Sequence, residues 1–173
     1  MSFNSIPEFS FPLINNRDPD TIKALKNALT THGFFTITDH GIEDDLLSAS
    51  YSMSKKFFEL EEATKNTYAH PEMGGARGYT PFGKETALGE TTPDMKEFWH
   101  HGPVTDDSFD ARITSNINVA ELPEFNSQFD GLFNDLNLLG MKVLSAIAVI
   151  LHKEPNFFDD WVSKGNSLLR LLH

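Results

Sequence analysis

The sequence predicts an α+β fold: a helix-rich region accompanied by a few short strands. Apolar residues recur with a helical period over most of the chain, whereas the β-rich runs are short. Strands and helices do not alternate regularly, which disfavours a doubly wound parallel sheet. A layer of helices that lies against a sheet mostly outside this chain fits the order of elements better.

The first elements are an extended segment, a capped helix and a strand. Residues 9–14 are expected to be extended. Asp18 and Pro19 then predict a helix start, because Asp caps free N–H groups and Pro suits the first helical turn. Gly33 is a typical residue after a helix end, and the β-rich run 34–38 follows it.

The middle of the chain predicts two helices and then an irregular loop. Acidic residues 43–45 open a helix, and Lys55 and Lys56 lie near its end, as the helix dipole favours. A short helix is expected over residues 61–68. Residues 73–89 are glycine-rich, and loops of this length are usually functional or disordered.

The last third predicts a strand, a long helix and a final strand. The expected ranges are a strand at 95–100, a loop at 106–123, a helix with one long buried face at 124–152, a short helix at 156–164 and a strand at 166–173. The final strand has no turn, cap or polar tail after it, so we expect this chain to be the first part of a longer protein.

Composition restricts the partners. The formal net charge is −11, which disfavours binding to nucleic acid or to an anionic membrane, while a small anionic substrate needs only one or two placed arginines. The longest apolar run, residues 143–151, is too short to span a bilayer. The chain has no Cys, so it has no disulfide or thiolate site, and a cytoplasmic location is expected.

Five short motifs occur in a characteristic order along almost the whole chain. They are Gly33-Phe34-Phe35 with His40-Gly41-Ile42, Phe57-Phe58-Glu59-Leu60 with Lys65, Arg77-Gly78-Tyr79, Lys96-Glu97-Phe98-Trp99-His100, and Leu169-Arg170-Leu171-Leu172-His173. Together they resemble the N-terminal region of the iron(II)- and 2-oxoglutarate-dependent dioxygenases, in the branch related to isopenicillin N synthase.

This resemblance implies a division of the chain and a set of cofactors. Residues 1–165 would form the helical support region, and residues 166–173 the first strand leading into a double-stranded β-helix, or jelly roll. In that family the iron ligands, a His-x-Asp/Glu pair and a distal His, and the Arg that binds 2-oxoglutarate lie C-terminal to this strand. The intact enzyme would use Fe(II) and 2-oxoglutarate, whereas this chain alone would have no metal site, no catalytic residue and no cofactor.

The histidines offer weak metal candidates. His70-Pro71-Glu72 has a metal-pair spacing, but a solvated turn is the favoured interpretation because no strand scaffold or third ligand is evident. His100 and His101 are adjacent, so on a strand they point to opposite faces, one expected to be buried and one exposed. His40 precedes a Gly in a turn and is expected to bond backbone.

Arg77 and Tyr79 are the first candidates for substrate binding. Arg offers a planar fork for a carboxylate, and Tyr offers a hydroxyl on an apolar body, in a loop whose glycines allow close approach to a ligand. In the related enzymes, residues of this segment help line the substrate pocket. The structural alternative, which stays open, is a salt bridge from Arg77 to a nearby acid and a packed Tyr79.

Arg170 is the third candidate for substrate binding. Strand alternation places Leu168, Arg170 and Leu172 on one face, where a lone Arg between Leu residues needs a partner. By resemblance it faces the co-substrate side of the intact enzyme, and an ion pair with an acid from a helix is the alternative. Phe98 and Trp99 are expected to be packing residues.

The main hypothesis is therefore the N-terminal part of an Fe(II)/2-oxoglutarate-dependent dioxygenase that acts on a small molecule, inactive as this chain alone. Two alternatives stay open. One is a stand-alone binding or interaction module, with self-association through the exposed strand edge. The other is an oxidase of the same fold that does not use 2-oxoglutarate.

Overall fold

The computed structural model describes residues 5–86, 88–89 and 91–173, so Ala87, within the predicted glycine-rich loop, lies outside the described residues. The strands are β1 Glu8–Ser10, β2 Thr36–Thr38, β3 Gly78–Thr80, β4 Phe98–His101 and β5 Leu169–Leu172. The helices are α1 Phe11–Asn15, α2 Pro19–Thr31, α3 Asp44–Phe58, α4 Glu62–Asn66, α5 Phe125–Ile150 and α6 Asp159–Val162. This mixture confirms the predicted α+β class.

Two segments differ from the prediction. Residues 11–15 form a helix rather than extended chain, because Pro12 falls in the first turn, where a missing N–H costs no hydrogen bond. The glycine-rich loop also contains the short strand β3, which local composition did not reveal. Its strand conformation comes from pairing with β4, a tertiary contact.

Backbone packing divides the chain into two units, of which the first comprises the described residues up to Ile42 together with residues 136–163. In this unit β1 and β2 pair in parallel. The side chain of Asp18 accepts a 2.9 Å hydrogen bond from the Thr21 amide, as the predicted cap requires. The core is apolar and consists of Ile14, Leu25, Ala146 and Ile150, with Phe9, Ile22, Leu29, Phe35 and Ile37 packed against it.

The second unit comprises residues 43–135 and 164–173 and contains a three-stranded antiparallel sheet in the order β3-β4-β5. Tyr79 is opposite Trp99, which is opposite Leu171. Phe57 of α3 is fully buried on this side of the sheet, with ring centroids 4.9 Å from Trp99 and 5.3 Å from Phe125. Aromatic packing thus holds α3, the sheet and the start of α5 together.

The long helix α5 is less buried than its periodicity predicts. Phe125, Phe129 and Leu132 are buried near its start and Ile150 at its end, but no residue from 133 to 145 is. By length and mean hydropathy the helix could cross a membrane, although the core helix of a soluble protein passes the same test. The sequence analysis judged membrane spanning by the longest uninterrupted apolar run, which is much shorter than helix α5. The expectation that the chain has no membrane partner therefore stays a prediction.

Candidate functional site

The segment from the end of α4 to Lys84, which includes β3, lines an open cavity of about 470 Å³ in the second unit. This volume lies within the range of small-molecule sites, roughly 300–1,000 Å³. The lining residues are Asn66, Ala69, His70, Pro71, Gly75, Arg77, Tyr79, Thr80, Pro81 and Lys84. Two of the three predicted substrate-binding residues therefore line one cavity.

Arg77 is buried, with only 1% of its surface exposed. Its Nη1 donates to the carbonyl of Ala76 at 2.6 Å, while Nε and Nη2 have no hydrogen-bond partner among the described residues. Within the described residues no carboxylate lies within ion-pair distance, so the salt bridge considered as the alternative is not formed. Burial lowers the pKa of this guanidinium, because a low-dielectric surrounding penalises the charged form.

The guanidinium of Arg77 packs against Gly102, the residue that follows β4. A Cβ atom at residue 102 would overlap the guanidinium group. Only glycine therefore leaves room for this side chain in its observed position.

The hydroxyl of Tyr79 is already engaged. It donates to Glu97, and its ring belongs to the aromatic core around Phe57. Burial and the Glu97 carboxylate both raise the pKa of Tyr79, because both disfavour the phenolate. Tyr79 thus lines the cavity with its body while its polar end is used inside the fold, and its role in substrate binding stays a prediction.

Glu97 is the centre of a buried ionic cluster that the sequence analysis did not identify. Its carboxylate, 1% exposed, accepts from Lys65 Nζ at 2.7 Å, from Tyr79 and from His173 Nδ1 at 2.8 Å. Lys65 also donates to the carbonyl of Phe58. Burial alone would raise the pKa of Glu97, but the donors Lys65, Tyr79 and His173 together lower it. The sequence contained one indication of this cluster, namely that the acidic residue Glu97 lies directly before Phe98 and Trp99, which were expected to pack in the core.

Arg170 lies on the opposite face of the sheet from Trp99. Its Nε donates to His100 Nε2 at 2.7 Å, its guanidinium stacks 4.2 Å from the Phe98 ring centroid, and Nη2 is 3.4 Å from Glu85. An ion pair, the alternative considered for Arg170, is thus present, although Glu85 belongs to a loop rather than a helix, and the role of Arg170 in substrate binding stays a prediction. His100 Nε2 accepts the hydrogen bond from Arg170, so the neutral imidazole carries its proton on Nδ1. That Nδ1–H donates to the carbonyl of Gly75 at 2.5 Å.

The expectation that one of His100 and His101 is exposed is wrong, since both are buried. Gly75 and Arg170 cover His100 on one face, whereas His101 Nε2 lies 2.7 Å from Asp130 of α5 on the other. Burial lowers the pKa of both rings. Phe98 and Trp99 are buried packing residues, as predicted.

The described residues do not fit a metal ion. Within residues 5–86, 88–89 and 91–173 no group of three or more His, Asp or Glu side chains could hold one. His70 Nδ1 contacts Glu72 at 2.7 Å in a partly exposed turn, and His40 Nδ1 accepts from the Ile42 amide at 3.1 Å.

The chain is similar to oxygenases in sequence and in structure. A 2-oxoglutarate-dependent dioxygenase from Didymella fabae is 29% identical over 163 residues, covering 88% of this chain and 49% of that protein. A 2OG-Fe(II) oxygenase family protein from Caulobacter crescentus is 38% identical, with a TM-score of 0.79 over 97% of this chain and 55% of that one. A full-length Neurospora crassa protein, solved in complex with alpha-KG, is 29% identical, with a TM-score of 0.80 over 96% and 53%.

The chain thus spans about half the length of the relatives that it matches. The family described as non-haem dioxygenase in morphine synthesis, N-terminal, matches residues 6–121, which is more than half of the chain. These findings confirm the resemblance predicted from the five motifs. The chain belongs to this family of non-haem dioxygenase N-terminal regions.

Proposed function

We propose that this chain is the N-terminal part of an Fe(II)- and 2-oxoglutarate-dependent oxygenase that oxidises a small molecule. The observation that carries the proposal is the agreement of 96% of the chain with the fold of the Neurospora crassa protein solved with alpha-KG. Relatives named as 2-oxoglutarate-dependent favour this function over an oxidase that does not use the co-substrate.

In the intact enzyme, bound Fe(II) and 2-oxoglutarate supply the oxidising chemistry. The residues of this chain would shape the substrate site. Arg77 and Tyr79 supply one wall of a cavity, and Arg170 holds a positive charge on the sheet face that carries Phe98 and His100. His100 orients Arg170 through the 2.7 Å hydrogen bond to its Nε. A cytoplasmic location and the absence of nucleic-acid and membrane partners are part of the same proposal, from composition.

A chimera tests this proposal. Residues 1–173 would be joined to the part of the Neurospora crassa protein that they do not match, and succinate formation from 2-oxoglutarate would be measured with Fe(II). We expect Fe(II)-dependent turnover in the chimera and none in the unmatched part alone. A folded chimera without turnover, beside an active parent protein, would contradict the proposal.

Iron binding to the chain alone is a second test. We expect residues 1–173 to take up no stoichiometric Fe(II). Uptake that is abolished by His70→Ala would instead place a metal site at the His70 turn and contradict the proposal.

A stand-alone interaction module is the second candidate function. The observation that favours it is the position of β5, which pairs only with β4 in the described sheet and so presents a free edge. Sedimentation velocity separates the two functions. A discrete dimer with a cooperative melt supports a module that associates through the β5 edge, whereas a folded chain that stays monomeric at all concentrations supports the oxygenase part.

A further inference from the structure

We propose that His100 is a pH-sensitive switch for Arg170: the neutral imidazole holds the guanidinium on the sheet, and protonation of the ring releases it. The inference rests on the proposed function and deepens it, since it gives the sheet face that carries Arg170 a means of regulation. Three observations carry it: the roles of the two ring nitrogens, the charges around the ring, and the small number of other contacts that Arg170 makes.

Both ring nitrogens of His100 are engaged, and each has a fixed role. An arginine Nε–H can only donate, so the 2.7 Å bond from Arg170 requires an unprotonated Nε2 on His100. Nδ1 lies 2.5 Å from the carbonyl of Gly75, which can only accept, so Nδ1 carries the proton. A second proton would have to bind Nε2, the atom that accepts from Arg170.

Protonation therefore affects the two hydrogen bonds of His100 differently. The Nδ1–H of the imidazolium still donates to Gly75, whereas its Nε2–H and the Nε–H of Arg170 are both donors and cannot bond to each other. Two positive charges at this separation also repel each other. A charged His100 and its bond to Arg170 thus exclude each other, and one proton breaks one defined contact.

The charged groups around His100 come from three segments of the second unit. Arg170 approaches from β5, Arg77 from the residue before β3, and Glu85 from the loop between β3 and β4. The His100 residue is only 7% exposed. Burial is the main cause that lowers the pKa of His100 below its ordinary value of 6.5; the two arginines lower it further, while the Gly75 carbonyl and Glu85 oppose the change. Neutral His100, which holds Arg170, is therefore the form present at neutral pH.

Arg170 has few other contacts among the described residues. Its guanidinium stacks 4.2 Å from the centroid of the Phe98 ring, and its Nη2 lies 3.4 Å from Glu85. Glu85 is itself paired with Lys96 at 2.8 Å. The Arg170 side chain is 41% exposed, so water is within its reach without any rearrangement of the core. Loss of the His100 bond thus leaves the guanidinium with one long ion pair and one ring contact.

A pH titration followed by nuclear magnetic resonance on the 173-residue chain tests the switch. The ring nitrogens of His100 and the Nε–H of Arg170, assigned through the backbone, are recorded from neutral to acidic pH. We expect the proton of neutral His100 on Nδ1 and, below pH 6.5, a shift of the Arg170 signal that shares the midpoint of the His100 ring.

Three results of this titration would overturn the proposal. The first is a neutral His100 that carries its proton on Nε2. The second is a ring that stays neutral until the chain unfolds. The third is an Arg170 signal that changes only with Glu85, whose pKa lies below its ordinary value of 4.5 because Lys96 donates to it.

Variants test the coupling in both directions. Arg170→Met should raise the midpoint of His100, because Nε2 is freed and a neighbouring positive charge is removed. Arg112→Met removes an arginine at the surface, where it is paired with Asp110, and should leave that midpoint unchanged. Equal midpoints in these two variants would overturn the proposal.

Replacement of the histidine itself completes the test. His100→Gln offers Arg170 an acceptor oxygen at every pH, so the step in the Arg170 signal should disappear. His152→Gln alters an exposed histidine of the first unit and should keep the step. A step that persists in folded His100→Gln would overturn the proposal, and the Arg170→Met comparison decides it if His100→Gln does not fold.

The switch and the oxygenase function can fail separately. The titration uses neither iron nor 2-oxoglutarate, so failure of the switch leaves the chimera result unaffected. Failure of the chimera would leave a measured coupling between His100 and Arg170 in place and would remove only its assignment to a substrate site.

Discussion

Two buried charges in the second unit are held in opposite ways. Glu97 accepts hydrogen bonds from Lys65, Tyr79 and His173, so its lost hydration is replaced. Arg77 is as deeply buried, yet two of its three guanidinium nitrogens have no hydrogen-bond partner in the part of the chain that the structure describes. The Glu97 charge is thus fully hydrogen-bonded, whereas the Arg77 charge has no counter-charge among the described residues.

A buried charge with partners and a buried charge without partners are expected to have different roles, the first structural and the second functional. A fully partnered buried charge fixes the position of the segments that contribute to it, here α4, β3, the residue before β4 and the residue after β5. An unpartnered charge costs stability and fixes little, and functional sites commonly accept such costs. The two sites should therefore respond to substitution with opposite signs.

Removing the charge of Glu97 should have the largest effect. Glu97→Gln leaves Lys65 buried without a counter-charge, which typically costs about 3–5 kcal/mol. Urea unfolding measures the change in free energy, with Glu59→Gln as the control in an exposed pair. A loss below about 1 kcal/mol would show that the buried pair is not a structural anchor.

Removing the charge of Arg77 should have the opposite sign. Even a buried ion pair can often be replaced by apolar side chains of similar volume with a neutral or stabilising effect of about 1–4 kcal/mol, and an unpaired charge loses no partner on replacement. Arg77→Met should therefore unfold at the same or a higher urea concentration than the wild type. A destabilisation as large as that of Glu97→Gln would instead make Arg77 a structural residue and erase the contrast.

Much of the fold follows from local signals in the sequence. The Asp18-Pro19 cap, the period of α5 and the strand around Phe98 predict elements that the structure contains, because each depends on neighbouring residues. β3 was missed, since a three-residue strand in a glycine-rich loop exists only through its pairing with β4. How much of α5 is buried likewise depends on which elements pack against it, and the period of its apolar residues does not show that.

Two of the three residues predicted to bind substrate lie together in the structure, and their role in binding stays a prediction. Arg77 and Tyr79 do line one cavity, as expected from the loop that carries them. Glu97 was overlooked, because its partners Lys65 and His173 come from 32 and 76 residues away, a distance that no local pattern spans. Long-range pairing likewise explains why both His100 and His101 are buried.

Acid should weaken the Glu97 cluster but not the Arg77 site. Because the pKa of Glu97 in the folded chain is lowered from 4.5, its contribution to stability is present above that value and is lost as the pH falls through the folded pKa. The stability difference between wild type and Glu97→Gln should thus shrink as the pH falls from 4.5 through the lowered pKa of Glu97. Urea unfolding at each pH measures it, and a constant difference would contradict the assignment. The difference for Arg77→Met should stay constant, because arginine remains charged throughout.

The exposed pair of Lys55 and Glu59 should show the smallest effect. It joins the same residue types as Lys65 and Glu97, one helical turn apart at 3.7 Å, but its side chains are 76% and 64% exposed. Water screens both charges before and after unfolding, so Lys55→Gln should cost only about 0.3–0.5 kcal/mol, and less in high salt. Urea unfolding at low and high salt measures this loss. A value near that of Glu97→Gln would mean that burial is not the source of the difference between the two pairs, and the opposed signs expected for Glu97 and Arg77 would lose their physical basis.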